Sequence, residues 1–209
     1  SPKIILVKQE LAKIIPDILN KYSWKKSMRW ADHSLAWGRP LKSILALLDN
    51  QVIQFSFHHL LSNNLTFSDE IIEEGQKKIK NFTSYLKLLD RKKIILDQNL
   101  RKQLIVKQID KVCRTRKLKK KLNEKLLDEV VDLVEKPNVL VGKFNMSFLN
   151  IPKEILITSM QQHQKYFPLF DQEENLTNIF IIVTNLEDKK GLIKLGNERV
   201  ISARLSDAK

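Results

Sequence analysis

The sequence is poor in the residues that disulfides, phosphate-binding loops and membrane spans require. It has one cysteine, Cys113, among 209 residues, so no disulfide can form within the chain, as suits a reducing compartment. It has only five glycines and no glycine-rich phosphate loop. No apolar run approaches the roughly 20 residues that cross a bilayer. We therefore expect neither disulfides, nor a nucleotide-binding loop, nor membrane association.

Groups that could carry catalysis or bind a metal ion are also scarce. An adjacent pair, His58 and His59, would point to opposite faces of a strand and could not share a metal ion. The contiguous AspHisSer at 32–34 is unlike a catalytic triad, whose members converge from separate segments. Glu129, Asp132 and Glu135 lie at helical spacing and indicate a solvated acidic face rather than a general acid and base pair. The sequence predicts no catalytic residue and no metal ligand.

Positive charge, by contrast, is abundant. The net charge is +13, from 37 Lys and Arg against 24 Asp and Glu. Residues 1–136 hold 28 of the cationic side chains and 16 of the acidic ones, whereas residues 137–209 hold nine and eight. A basic half is typical of a surface that binds a polyanion such as RNA. The alternative is an AT-rich coding sequence, which yields many lysines that only solvate helix surfaces.

In the first half, apolar spacing predicts a helix at 8–22. Pro16 interrupts the pattern and would either kink this helix or mark its true start. Segments 43–48 and 52–57 are β-prone and flank an Asp-Asn pair, which predicts a hairpin. SerAspGluIle at 68–71 resembles a helix start.

The middle of the chain is the most helical and most basic part. Asp97 is a predicted N-cap for a helix to about Arg116. The apolar residues 93–96 before it predict a buried strand. The basic run 114–121 closes this helix, where it would complement the helix dipole. Asn123 caps a further helix.

The last third predicts strands at 138–142, 166–170 and 179–184, a helix that opens at Pro152, and a helix or turn from about Leu192. Together these elements predict an α+β fold: one mixed β-sheet with helices packed against it. The sheet is expected to contain residues 43–48, 52–57, 139–141 and 179–183. No linker interrupts the chain, so residues 1–209 are predicted to form a single module.

Short motifs also follow one another in a fixed order along nearly the whole chain. They are MetArgTrp at 28–30, AspHisSer at 32–34, ArgPro at 39–40, the segment 126–135 before Pro137, ProLysGlu at 152–154, GlnLysTyrPhePro at 164–168, GlyAsnGluArgVal at 196–200 and AlaArgLeuSerAspAla at 203–208. Together they resemble the beta subunit of the bacterial heterotetrameric glycyl-tRNA synthetase. The chain departs from that family at 57–60, where PheHisHisLeu replaces the usual GlyHisArgPhe.

The resemblance implies an internal fragment of a longer beta subunit. It implies a fold similar to the editing module of the phenylalanyl-tRNA synthetase beta subunit, although no editing role follows from that likeness. The whole enzyme, a cytoplasmic heterotetramer of two alpha and two beta subunits, joins glycine to tRNA(Gly) using ATP. Its alpha subunit activates glycine with ATP. This chain would then be a noncatalytic, structural and tRNA-facing module that needs no cofactor. A basic RNA-binding or scaffold module without synthetase activity is the alternative.

Eight cationic side chains are candidates for contact with tRNA, since Lys and Arg neutralise phosphates. They are Arg29, Arg114, Arg116, Lys117, Lys119, Lys120, Lys121 and Lys165. Lys119, Lys120 and Lys121 are expected to be solvated and to contribute little to folding. Tyr166 and Trp30 are interpreted as core aromatic residues, with stacking on RNA as the alternative for Tyr166. Arg204 and Asp207 are expected to form an i,i+3 ion pair.

Overall fold

A computed structural model describes residues 6–66 and 76–207. The chain forms two compact units, Ser1–Lys92 and Lys93–Lys209, and each is described by itself. The predicted helix start at 68–71 lies outside the described residues. That residues 1–209 act as a single module stays a prediction.

The described residues of the first unit form two helices and three two-stranded antiparallel sheets. Its elements are α1 Val7–Asn20, β1 Leu47–Leu48, β2 Gln51–Val52, β3 Ser56–Phe57, β4 Leu60–Leu61, β5 Leu65–Thr66, β6 Lys77–Lys78 and α2 Phe82–Arg91. The sheets pair β1 with β2, β3 with β4 and β5 with β6. The helix predicted at 8–22 is confirmed, and Pro16 lies inside it.

The core of the first unit follows from an alternation of residues after the first hairpin. Ile53, Phe55 and Phe57 are buried, while Gln54 and Ser56 between them are exposed, as the period of two in an extended chain requires. Apolar residues of α1 pack against this cluster. The Asp-Asn turn is confirmed: φ is 46° at Asp49 and 67° at Asn50, as a tight hairpin turn requires.

Residues 93–207 of the second unit form four α-helices and four strands. Its elements are α3 Gln98–Arg116, β7 Lys119–Lys120, α4 Glu124–Leu133, β8 Asn138–Lys143, a 3₁₀ turn Met146–Asn150, α5 Lys153–Thr158, a π-helical turn Ser159–His163, β9 Phe167–Phe170, β10 Leu176–Thr184 and α6 Leu192–Asp207. The strand order is β7-β9-β10-β8, and each neighbouring pair is antiparallel.

Strand β10 is buried on both faces because helices cover both sides of the sheet. Ile181 belongs to a core cluster with residues of α3 and α4, whereas Phe180 and Ile182 belong to a second cluster with residues of α5 and α6. Successive side chains of a strand point to opposite faces. This explains the uninterrupted apolar run in β10, which is typical of a strand covered on both sides.

The prediction of one mixed sheet is wrong for the described residues, although the α+β class is confirmed. The hairpin of β1 and β2 forms a sheet of its own, separate from the sheet that contains β8 and β10. An isolated bridge between Leu45 and Asn63 is the only parallel pairing in the described part of the chain. Local β-propensity identifies strands, but partners are set by packing over long sequence distances.

Two further expectations need correction. Residues 93–96 form no strand in the described structure: they form an irregular link in which Ile95 N donates one backbone hydrogen bond to Glu135 O, at 2.9 Å. His58 and His59 lie in the turn between β3 and β4 rather than within a strand, and φ is 50° at His58. No helix in the two described ranges is both long and apolar enough to cross a membrane.

Candidate nucleic-acid interface

The basic run between α3 and α4 changes direction at Lys117. Helix α3 begins at the predicted cap, where Asp97 Oδ1 accepts hydrogen bonds from the N–H groups of Asn99 and Leu100. It ends at Lys117, which has left-handed backbone angles of φ 53° and ψ 45°. Gln172 Nε2 donates a 2.6 Å hydrogen bond to Lys117 O. The break therefore places residues before and after Lys117 in different surroundings.

A groove of about 980 Å³ runs along one face of α3. Its lining includes Lys102, Lys107, Asp110 and Arg114 of the helix, and Lys117 just beyond it. We call this surface the α3 groove.

Three cationic side chains of the α3 groove are available to a ligand. Lys107, Arg114 and Lys117 are exposed, and their side chains form no hydrogen bond or ion pair with any residue in 6–66 or 76–207. The acidic side chain of the groove is already neutralised, since Asp110 Oδ1 lies 2.7 Å from Lys120 Nζ. The α3 groove therefore presents a net positive charge.

The thiol in the groove has no catalytic features. Cys113 is buried, and burial raises the pKa of its thiol, with the opposing influence of Lys120 smaller. A thiol with a raised pKa remains protonated at neutral pH and is a poor nucleophile. The residue acts as a small apolar side chain of the core cluster between α3 and α4.

The three lysines after the helix all have partners within the chain. The expectation that they are solvated is wrong for Lys119 and Lys120, which are partly buried, and holds for Lys121, which is exposed. Lys119 Nζ donates to Gln172 O at 2.8 Å. Lys120 pairs with Asp110 and is only 24% exposed. Lys121 Nζ lies 2.8 Å from Glu174 Oε2 and 5.1 Å from the centre of the Phe170 ring. The physical reason is that Lys119 and Lys120 form strand β7 on the edge of the sheet beside β9.

The electrostatic effect on Glu174 agrees with this arrangement. A hydrogen bond from Lys121 and its positive charge, with a contribution from Lys119, lower the pKa of Glu174. These lysines therefore bind acidic or carbonyl oxygens of the chain itself. Binding of a phosphate by Lys119, Lys120 or Lys121 would have to compete with those partners.

The remaining candidates differ in their surroundings. Arg116 and Arg29 are exposed and their side chains have no partner within the described residues. Lys165 is partly buried, and its Nζ donates to Glu129 Oε2 at 2.5 Å. That hydrogen bond and the charge of Lys165 lower the pKa of Glu129. Glu129 is thus a structural ion-pair partner rather than part of a free acidic face.

The interpretation of Tyr166 as a core residue is confirmed. Tyr166 is 3% exposed, and its ring stacks on that of Phe180 with centroids 4.8 Å apart. Its hydroxyl donates a 2.6 Å hydrogen bond to Asn197 Oδ1, and burial raises the pKa of Tyr166 to about 12. Trp30 is half-buried beside the core of the first unit. The Arg204–Asp207 ion pair is not formed, although both residues are described.

Sequence analysis missed Lys107, which lies before the densest basic run. Lys107 and Arg114 are seven residues apart on one helix, so they lie on the same face. The seven-residue spacing of the two cations is a signal that the sequence alone provides.

No group of three or more His, Cys, Asp and Glu side chains is arranged to hold a metal ion in the part of the chain that the structure describes.

Comparison with known proteins identifies one family. A family model described as glycyl-tRNA synthetase beta subunit matches residues 5–209. Proteins named glycine–tRNA ligase beta subunit from Rickettsia canadensis (strain McKiel), Rickettsia akari (strain Hartford) and Rickettsia felis (strain ATCC VR-1525 / URRWXCal2) are 38%, 39% and 40% identical to this chain. The alignments cover 97% of this chain and 30%, 31% and 31% of those proteins. The chain thus spans less than a third of the length of these relatives.

Proposed function

Because the chain belongs to the family of glycyl-tRNA synthetase beta subunits, we propose that it is a noncatalytic, tRNA-facing module of a glycine–tRNA ligase. The whole enzyme would use ATP to join glycine to tRNA(Gly) in the cytoplasm. An alpha subunit would carry the activation of glycine, in a heterotetramer of two alpha and two beta subunits. A likeness of this fold to the editing module of phenylalanyl-tRNA synthetase is part of the same proposal.

The observation that supports the tRNA-facing role best is the set of free cations on the α3 groove. Lys107, Arg114 and Lys117 are exposed and unpaired within the described residues, and the one acidic side chain among them is bound by Lys120. Cations that neutralise phosphates release counterions from RNA, which drives binding with little dependence on sequence. The α3 groove would hold the sugar–phosphate backbone.

The test compares two variants of equal charge. Lys107→Gln, Arg114→Gln and Lys117→Gln together remove three free cations of the groove. The matched control removes three exposed lysines elsewhere in the second unit, Lys143, Lys153 and Lys190. We expect the groove variant to bind tRNA(Gly) at least tenfold more weakly than the control, on the order of 1 kcal/mol or more. Equal affinity of the two variants would show that the α3 groove does not bind tRNA(Gly).

We expect the chain by itself to have no glycine-activating activity. Its sequence has no glycine-rich phosphate loop, and the proposal assigns ATP to the alpha subunit. Glycine-dependent exchange of pyrophosphate into ATP, measured with the purified 209-residue chain, should equal the rate without glycine. Exchange well above that background, in a preparation free of alpha subunit, would contradict the noncatalytic assignment.

A further inference from the structure

Three aromatic rings lie together in the first unit, two of them exposed and the third, Trp37, half-buried. The rings of Tyr22 and Trp24 stack with centroids 5.5 Å apart, and the rings of Trp24 and Trp37 lie 5.0 Å apart. Tyr22 is 59% exposed and Trp24 is 40% exposed. Large aromatic side chains are usually buried because they contribute strongly to core stability. We call Tyr22, Trp24 and Trp37 the aromatic surface.

The backbone holds these rings in place. Met28 and Trp37 exchange two backbone hydrogen bonds, of 2.8 and 3.1 Å, which close the segment between them. The ring of Trp24 lies on Gly38, where an added Cβ would come within 2.7 Å of Trp24 Cε3. A glycine at this position therefore permits the close approach of the ring to the backbone. The aromatic surface is organised before any ligand binds.

Unpaired cationic residues lie close to the three aromatic residues in the sequence. Residues 21–42 contain six cations and one acidic residue, Asp32. Four of these cations are Lys25, Lys26, Arg29 and Arg39, and all four are exposed. Their side chains make no hydrogen bond or ion pair with the rest of the described chain. Aromatic residues interleaved with free cations match a ligand that carries both flat rings and negative charge.

We propose that the aromatic surface binds unpaired nucleotides of RNA by stacking, with the neighbouring cations on the phosphates; this rests on the proposed function and names the part of the RNA that this unit contacts. Bases stack on aromatic side chains irrespective of sequence, and a basic surface follows the backbone. A base would stack on the exposed face of the Tyr22 ring, opposite Trp24. A protein partner fits less well, because lysine is depleted where proteins bury a shared interface.

The direct readout is tryptophan fluorescence. The chain has three tryptophans, and two belong to the aromatic surface. We expect a short oligoadenylate to quench the fluorescence of the 209-residue chain, and a blunt RNA duplex of the same length to do so much less, since its bases are already stacked. Equal quenching by the duplex would overturn the proposal.

Variants at Tyr22 test the stacking itself. Tyr22→Ala should weaken binding of the oligoadenylate about tenfold, as expected for the loss of one stacked base, while Tyr22→Phe should retain it. Phe82→Ala is the matched control, because Phe82 is an exposed aromatic residue of the same unit, at 65% exposure. Unchanged affinity in Tyr22→Ala, or an equal loss in Phe82→Ala, would refute stacking on this surface.

Two outcomes separate this inference from the proposed function. Loss of tRNA binding in the α3 groove variant, together with unchanged oligoadenylate binding in Tyr22→Ala, would overturn the stacking surface and leave the groove. Tyr22-dependent oligoadenylate binding with an α3 groove variant that binds tRNA normally would support the stacking surface and remove the groove. Tyr22-dependent quenching by a purified alpha subunit, with none by oligoadenylate, would show that the surface binds protein and would overturn the proposal.

Discussion

At the scale of single residues, two glycines show how surroundings decide the effect of one methyl group. A Cβ on Gly142 would come within 2.5 Å of Phe180 Cζ, and Phe180 is fully buried between Tyr166 and Phe144. A Cβ on Gly196, inside α6, would meet nothing within 4 Å.

We expect the two Gly→Ala substitutions to change stability in opposite directions. Gly142→Ala should lower the free energy of unfolding by about 1–3 kcal/mol, because an overpacked core must shift. Gly196→Ala should raise it by about 0.5–1 kcal/mol, because alanine loses less backbone entropy in a helix. Urea unfolding of both variants checks this. A stable Gly142→Ala would show that the contact with Phe180 relaxes freely.

Arg101 is a cation that serves the fold. It is 8% exposed, and its Nη1 donates to Val131 O at 3.0 Å and to Val134 O at 2.7 Å, so it binds carbonyls at the end of α4. Arg101→Met should lower the free energy of unfolding by about 2–4 kcal/mol, because charged hydrogen bonds are lost and buried carbonyls remain unpaired. Lys111→Met, an exposed change on the same helix, is the control. Equal stability of both variants would contradict this role.

At the scale of elements, local signals predicted helix starts well and long-range pairings poorly. Asp97 and Asn123 cap α3 and α4 as the sequence predicted, because a cap depends on bonds within a few residues. The apolar segment 93–96 is not a strand, since a strand needs a partner that its own sequence does not specify. The bend at Lys117 involves Gln172, which lies 55 residues away.

The ion pair between Glu129 of α4 and Lys165 should make stability depend on pH. A hydrogen bond from Lys165 and its charge lower the pKa of Glu129 from its value of 4.5. A carboxyl group whose pKa falls on folding stabilises the folded state above its unfolded pKa, and this stabilisation is lost as the pH falls through the folded pKa. Glu129→Gln should therefore lower the free energy of unfolding at neutral pH. It should have little effect at pH values below the folded pKa of Glu129, where the wild-type carboxyl group is protonated.

Unfolding midpoints of the wild type and of Glu129→Gln, measured from neutral pH down to acid pH, check the expected convergence. Glu154→Gln is the control, because Glu154 is exposed and its side chain has no ion pair in the part of the chain described here. A difference between wild type and Glu129→Gln that stays constant over the whole range would mean that the ion pair does not cause it.

At the scale of the whole molecule, net charge predicts a class of partner but not which cations are free to meet it. The sequence places 28 of 37 cations in residues 1–136, and this asymmetry favours RNA. Folding then engages Lys119, Lys120 and Lys121 with neighbouring oxygens and leaves Lys107 on the α3 groove unpaired among the described residues. Sequence alone could not separate these sets, because the partners are 10 to 53 residues away.

The most direct test of the tRNA-facing role is the salt dependence of tRNA(Gly) binding. Log affinity falls as log salt concentration rises, and each lost phosphate contact should reduce the magnitude of this slope by about 0.7–0.9. The variant with Gln at positions 107, 114 and 117 should therefore have a slope about 2 to 3 smaller than the control variant with Gln at 143, 153 and 190. Identical slopes in the two variants would show that the α3 groove does not contact the RNA backbone and would contradict the tRNA-facing role.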